Sequence, residues 1–102
     1  INERRYYPSN IRVSNYTDEY YDATQKQPLC IQSELRNKNV SMSEDCLYID
    51  IYTPDINGSY PILAYIQTST NVDISNIIPY VSNDIIFITV NYRHDAFGFL
   101  SL

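Results

Sequence analysis

Residues 43–54 read Ser-Glu-Asp-Cys-Leu-Tyr-Ile-Asp-Ile-Tyr-Thr-Pro, an acidic, cysteine-bearing turn that leads into an alternating segment. Leu47, Ile49 and Ile51 share one face of that segment, and aromatic or acidic side chains occupy the other. This two-residue period is typical of a half-buried strand. Pro54 ends the pattern, because proline has no N–H to donate to a sheet ladder.

Two apolar runs farther along the chain predict two more strands. Residues 62–66 are almost continuously apolar, as expected of a strand covered on both faces. Residues 85–90 are rich in β-branched side chains and predict a second buried strand. The turn before the first run contains Asn57 and Gly58, which tolerate positive φ, and the spacing predicts an antiparallel hairpin with the strand before it.

The remaining segments are less regular. Residues 1–29 are polar and tyrosine-rich with little periodicity, which predicts irregular backbone. Residues 67–84 contain Pro79 and scattered asparagine and serine, so a loop is predicted there. One helical turn over residues 74–80 is the alternative.

Composition excludes several classes of protein. The chain has 102 residues, a hydrophobic content of 44% and a net charge of −5. The charge argues against nucleic acid or an anionic membrane surface as a partner. No apolar run approaches the roughly 20 residues of a membrane-spanning helix. A chain this short would expose a large share of its surface, so it is better understood as one piece of a larger domain.

Five landmarks resemble the type B carboxylesterase and cholinesterase family of α/β-hydrolases. They are Arg-Tyr-Tyr-Pro at 5–8, Asp-Ala-Thr at 22–24, Ser-Glu-Asp-Cys-Leu-Tyr at 43–48, the strand at 60–66, and Asn-Tyr-Arg followed by Ala-Phe-Gly-Phe-Leu at 91–100. The resemblance implies an α/β fold: the strand-rich N-terminal portion of an α/β-hydrolase with a mixed central sheet, incomplete on its own. Residues 1–102 are then the N-terminal fragment of a single cholinesterase-like domain, whose remainder is not in this chain.

The resemblance also implies two structural pairs. A disulfide closes a loop at the rim of the active site in this family, and Cys30 and Cys46 occupy the matching positions. The alternatives are two buried free thiols or half of a metal site, but His94 is the only histidine and a zinc site needs more ligands. We expect no metal and no cofactor. The family also pairs the arginine of its Arg-Phe-x-Pro motif with the glutamate before Asp-Cys, here Arg5 with Glu44, which would otherwise be solvated charges.

No catalytic residue is expected in this chain, because the resemblance puts the serine, acid and histidine of an esterase beyond residue 102. The family's oxyanion loop does fall inside it, and that loop is glycine-rich so that N–H groups can approach the substrate oxygen. Here the position holds Gln67, Thr68, Ser69 and Thr70, which resist the backbone freedom of glycine. Loss of one oxyanion donor typically slows hydrolysis about 10²- to 10³-fold. The loop therefore looks degenerate.

Two more departures follow Arg93. The family carries an apolar residue and a glycine where this chain has His94 and Asp95. We expect His94 to pack in a loop rather than to act as a catalytic base, and Asp95 to reshape that loop.

Three Asn-x-Ser/Thr sequons bear on the compartment. Asn15, Asn39 and Asn57 are predicted N-glycosylation sites in polar connections. Together with the implied disulfide they favour a secreted or cell-surface glycoprotein.

The degenerate loop favours one function within the family. The chain resembles the non-catalytic cholinesterase-like adhesion proteins (neurotactin, neuroligin, gliotactin and glutactin), which implies a catalytically inactive extracellular domain acting in cell adhesion or protein binding at a membrane. Its expected partners are the remainder of its own domain and an extracellular protein ligand. The alternatives are an active carboxylesterase and a folding or carrier module within a larger secreted protein.

Overall fold

The computed structural model describes residues 4–10, 22–66 and 73–101. Its regular elements, in chain order, are β1 (Leu29–Cys30), a 3₁₀ helix (Ser33–Leu35), β2 (Met42–Ser43), β3 (Ile49–Tyr52), β4 (Ile62–Tyr65), α1 (Ile74–Ser82), β5 (Ile86–Val90) and α2 (Asp95–Phe99). β1 and β2 form a short parallel pair, and the other three strands form a separate sheet. The described residues are therefore an α/β arrangement.

β5 is the middle strand of the three-stranded sheet. It pairs antiparallel with β3 and parallel with β4, so the sheet is mixed. The predicted hairpin between β3 and β4 is wrong, because β5 lies between them. β5 carries apolar side chains on both faces, and a strand of that kind is stabilised most in the interior of a sheet. Its prediction from residues 85–90 is confirmed.

Phe87 is the central core side chain of β5. It is 3% exposed, and its ring lies 5.7 Å from that of Tyr65 on β4 and 5.2 Å from that of Tyr80 on α1. Such tilted aromatic contacts add to the free energy of burying the rings. The aromatic cluster therefore joins α1 to the parallel half of the sheet.

α1 replaces the predicted loop, and only the alternative helical turn anticipated it. The Asp73 carboxylate accepts the Ser75 N–H at 3.0 Å and caps the helix. Pro79 lies inside the helix, where it removes one backbone donor. Burial of Ile77 and the Asp73 cap together outweigh the loss of that donor. Local composition alone does not indicate these contributions, so it predicted a loop.

Burial of the outer strands differs from the prediction. Ile49 and Ile51 of β3 are 56% and 58% exposed, whereas Asp50 and Tyr52 on the opposite face are half-buried. All of β4 is exposed, although its composition predicted cover on both faces. The described residues do not cover the apolar side chains of β3 or β4, so these strands are exposed although their sequences are typical of buried strands.

The irregular regions agree with their sequence-based predictions better than the outer strands do. Residues 4–10 and 22–28 contain no strand, as predicted for the described part of 1–29. The turn between β3 and β4 is present at Ile56 and Asn57, but no described glycine has positive φ. A Cβ at Gly58 would meet the far end of the Tyr60 ring, so a larger residue there would need that side chain to move.

Candidate functional site

Several segments that carry the family resemblance lie at one edge of the three-stranded sheet. β4 and β5 are parallel, so both end at this edge, and the antiparallel β3 begins there. The Asn91 N–H donates to the Tyr48 carbonyl at 3.0 Å and closes the sheet at this end. Ligands of open α/β sheets bind outside the carboxyl ends of strands. The predicted oxyanion positions Gln67, Thr68, Ser69 and Thr70 lie outside the described residues.

A disulfide joins Cys30 to Cys46, which lies shortly before the start of β3 in the sequence. Both cysteines are 1% exposed, and β1 pairs with β2 at the base of the loop, Leu29 facing Met42. Leu35, in the 3₁₀ helix, is also buried. We call the disulfide loop (residues 30–46), residues 4–7 and residues 93–97 together the clasp.

The structure brings Arg5 and Glu44 together as the resemblance implied. Arg5 Nε donates to Glu44 Oε1 at 2.6 Å, and Nη2 donates to Oε2 at 2.7 Å, which is a bidentate pair. The hydrogen bonds from Arg5 lower the pKa of Glu44 and raise that of Arg5. The pair is partly solvated, with 40% of the Arg5 side chain exposed, so screening limits its contribution to stability.

Aromatic contacts support the same ion pair, and the sequence did not indicate them. The Arg5 guanidinium lies 5.5 Å from the centre of the Phe97 ring, and Tyr6 stacks on that ring at 6.1 Å. Arg93 Nη1 donates to the Tyr7 carbonyl at 2.9 Å. These contacts span more than eighty residues of chain, so no local pattern could have revealed them.

His94 and Asp95 make different contacts. His94 stacks on Tyr92 at 4.3 Å, and its Nε2 is buried without a hydrogen-bond partner within residues 4–10, 22–66 and 73–101. Packing in a loop was the prediction for His94. Asp95 has a φ of 51°, and its Oδ2 accepts the Ser33 N–H at 2.7 Å. The pKa of Asp95 is lowered by hydrogen bonds from the backbone and hydroxyl of Ser33.

An open cavity of about 490 Å³ lies beside the clasp. Its wall mixes three arginines with two carboxylates and the disulfide; those side chains are Arg4, Arg5, Arg93, Glu44, Asp45, Cys30 and Cys46. The described ranges contain no group of three or more His, Cys, Asp or Glu side chains that could hold a metal ion. What the resolved geometry provides is a cross-linked scaffold rather than a nucleophile beside a base.

The sequons lie at the surface wherever they are described. Asn39 is exposed in the disulfide loop, and Asn57 is exposed in the turn between β3 and β4. The bond that Asn57 makes to Asp55 Oδ1, at 3.0 Å, comes from its backbone N–H and not from its side chain. Asn15 lies outside the described residues. In the same described ranges, neither helix has the length and apolar character to cross a membrane.

Comparison with known proteins gives a family and several relatives. Residues 1–102 match the Carboxylesterase family. The chain is 34% identical to a juvenile hormone esterase of Tribolium castaneum, over 78% of the chain and 15% of that protein. It is 36% identical to venom carboxylesterase-6 of Apis mellifera, over 78% of the chain and 16% of that protein. It is 34% identical to an acetylcholinesterase of Bungarus fasciatus, over 79% of the chain and 16% of that protein.

The chain thus spans only 15–16% of the length of these relatives. No solved structure matches it.

Proposed function

The chain belongs to the carboxylesterase family, and on that premise we propose that it is the N-terminal part of a catalytically inactive, cholinesterase-like extracellular domain that acts by binding another protein. The domain would have the α/β-hydrolase fold, with residues 1–102 as its first fragment. The mixed sheet and the α1 crossover between β4 and β5 support that assignment. The apolar faces of β3 and β4 would then be covered by the remainder of the domain.

The observation that carries the proposal is the sequence Gln67-Thr68-Ser69-Thr70. It follows Ile66, the residue after β4 ends at Tyr65, and so occupies the connection that follows this strand in the chain. In α/β-hydrolases the loop after this strand supplies N–H groups to the oxyanion hole. Side chains with a branched Cβ disfavour the backbone conformations and the close approach that glycine permits. Meanwhile the Arg5–Glu44 pair and the Cys30–Cys46 disulfide are intact. A maintained scaffold beside an altered catalytic loop favours binding over hydrolysis.

A fluorophosphonate probe tests the absence of hydrolysis. The complete purified protein, with an active esterase labelled in parallel, should gain no probe mass. A matched variant, Thr68→Gly/Ser69→Gly/Thr70→Gly, asks whether the loop is the cause, because it restores backbone freedom at the altered positions. Labelling of the unchanged protein would contradict the proposal.

An aggregation assay tests the binding role. Cells that display the complete protein should aggregate with each other or with cells carrying its ligand, and the soluble ectodomain should compete. The control is a Cys30→Ala/Cys46→Ala variant at matched surface expression. No aggregation with any cell type, despite correct display, would contradict the binding role.

An extracellular location and glycosylation belong to the same proposal. The buried disulfide favours an oxidising compartment. Asn39 and Asn57 are exposed acceptors, and Asn15 is the third site. Treatment of protein from a secretory host with peptide N-glycosidase should lower its mass, with Asn39→Gln and Asn57→Gln variants each losing one glycan. An unchanged mass would contradict it.

An active carboxylesterase is the second candidate. The names of the relatives favour it, since a juvenile hormone esterase, a venom carboxylesterase and an acetylcholinesterase are among them. Oxyanion stabilisation would then need donors other than a glycine loop, such as Ser69 or Thr70. Covalent labelling in the probe experiment would favour this candidate.

A further inference from the structure

Asp95 has a backbone conformation that is uncommon for residues with a Cβ, although aspartate and asparagine adopt it more readily than most. Its φ of 51° lies in the left-handed region, which only Tyr6 and Asp84 share among the other described non-glycine residues. Glycine adopts this conformation without steric cost, whereas a Cβ crowds the following carbonyl. Residues held in such conformations persist when their surroundings fix them. An interaction of the Asp95 side chain is the natural compensation.

That interaction is a bond to the disulfide loop. Asp95 Oδ2 accepts the Ser33 N–H at 2.7 Å, across 62 residues of sequence. Ser33 begins the 3₁₀ helix, whose first N–H groups have no partner within the helix. The preceding residue, Gln32, makes no capping bond and donates its Nε2 to the Cys30 carbonyl. The Asp95 carboxylate, at the start of α2, therefore caps the 3₁₀ helix in place of a neighbouring residue.

The electrostatics agree with an ionised acceptor. Both the N–H and the hydroxyl of Ser33 lower the pKa of the Asp95 carboxyl, and the adjacent His94 acts in the same direction. Hydrogen bonds to an ionised carboxylate are shorter and stronger than those between neutral groups. The 2.7 Å separation is in the range of such charge-assisted bonds.

We propose that Asp95 is a conformational latch, whose carboxylate ties the first turn of the disulfide loop to the segment that follows β5. The loop is already closed at its base by the Cys30–Cys46 disulfide and by β1–β2 pairing. Leu35 gives it an apolar anchor. The Asp95–Ser33 bond adds a polar anchor that joins the loop to α2, and so couples the loop to the sheet edge. The inference does not depend on whether the protein binds a partner or hydrolyses esters.

Two substitutions remove the latch from opposite sides. Asp95→Gly deletes the acceptor while easing the backbone strain, so it should fold. Ser33→Pro deletes the donor, and the geometry tolerates it, because Gln32 is extended (φ −151°, ψ 142°) and proline is favoured at the first helical position. Asp95→Asn is the matched control, since it keeps an acceptor oxygen and tolerates left-handed backbone.

Amide hydrogen exchange of the complete protein is the readout. Asp95→Gly and Ser33→Pro should each accelerate exchange in peptides covering residues 31–40 by about tenfold, as expected when local opening is eased by one such bond. The double variant should add little to either, because both remove the same bond. Peptides covering α1 should keep their exchange rates, and Asp95→Asn should retain most of the protection.

Two outcomes would overturn the latch. One is unchanged exchange in residues 31–40 in folded Asp95→Gly protein. The other is fully additive acceleration in the double variant, which would mean that the two residues act independently. If Asp95→Gly failed to fold, the same comparison of Ser33→Pro with the unchanged protein would decide.

Discussion

The clasp and the three-stranded sheet are stabilised in different ways. Long-range polar and covalent bonds hold the clasp: a disulfide, a bidentate ion pair, the Arg93 bond to the Tyr7 carbonyl and the Asp95 bond to Ser33. The sheet depends on backbone ladders and a small aromatic core, and it leaves the apolar faces of β3 and β4 exposed. Specific long-range bonds within the chain thus hold the clasp, whereas the sheet leaves apolar surface exposed.

The largest expected effect is loss of the sheet core. Phe87→Ala should lower the free energy of unfolding by about 3–5 kcal/mol, because it removes a 3%-exposed ring that contacts Tyr65 and Tyr80. Urea denaturation of the complete protein measures it, with Phe87→Leu as the volume-retaining control. A loss below about 1 kcal/mol would mean that the sheet core lies elsewhere.

The corresponding test of the clasp removes its covalent bond. Cys30→Ala/Cys46→Ala should cost about 3 kcal/mol, as expected for a loop of this length. Reduction with dithiothreitol should lower the urea midpoint of the unchanged protein by more than that of the variant, in which the Cys30–Cys46 bond is already absent. Equal stability of oxidised and reduced protein would show that the polar bonds alone hold the clasp.

A smaller effect distinguishes the two sides of α1. Ile77→Val should cost about 0.5–1.5 kcal/mol, because Ile77 is 1% exposed, whereas Ile78 is 55% exposed. Ile78→Val is the matched control, with an expected change within about 0.5 kcal/mol. A cost at Ile78 equal to that at Ile77 would mean that another part of the complete protein covers the outer side of the helix.

The smallest effect is the pH dependence of the ion pair. Arg5 lowers the pKa of Glu44 below its ordinary value of 4.5, so the pair stabilises the folded state above that pH and loses its contribution as the pH falls through the lowered pKa. Unfolding measured from neutral pH to about pH 3 should show a steeper decline in the unchanged protein than in Glu44→Gln.

The matched control for this titration is Glu34→Gln, an exposed carboxylate of the same loop for which no bond is found in the described ranges. This substitution changes the net charge by the same amount without removing the Arg5–Glu44 pair, so it controls for the change in charge. Identical slopes for Glu44→Gln and the unchanged protein would contradict a stabilising pair. Added salt should reduce the difference, because the pair is partly solvated.

Elements whose signals are local could be predicted from the amino-acid sequence alone. The apolar run of β5 and the alternation of β3 required only neighbouring residues, since a strand has a two-residue period. The landmarks at Arg5, Glu44, Cys30 and Cys46 indicated the clasp through family resemblance, and the structure brings each pair together. The turn after Pro54 also followed from composition.

The way these elements combine depends on contacts between residues that are far apart in the sequence. Strand periodicity is the same whichever neighbour a strand takes, so it does not indicate that β5 lies between β3 and β4. α1 forms despite Pro79 because Asp73 caps it and the sheet buries Ile77. The left-handed backbone of Asp95 is held by a bond to Ser33, 62 residues away. Contacts between residues so distant in sequence leave no local pattern, because they exist only once the chain has folded.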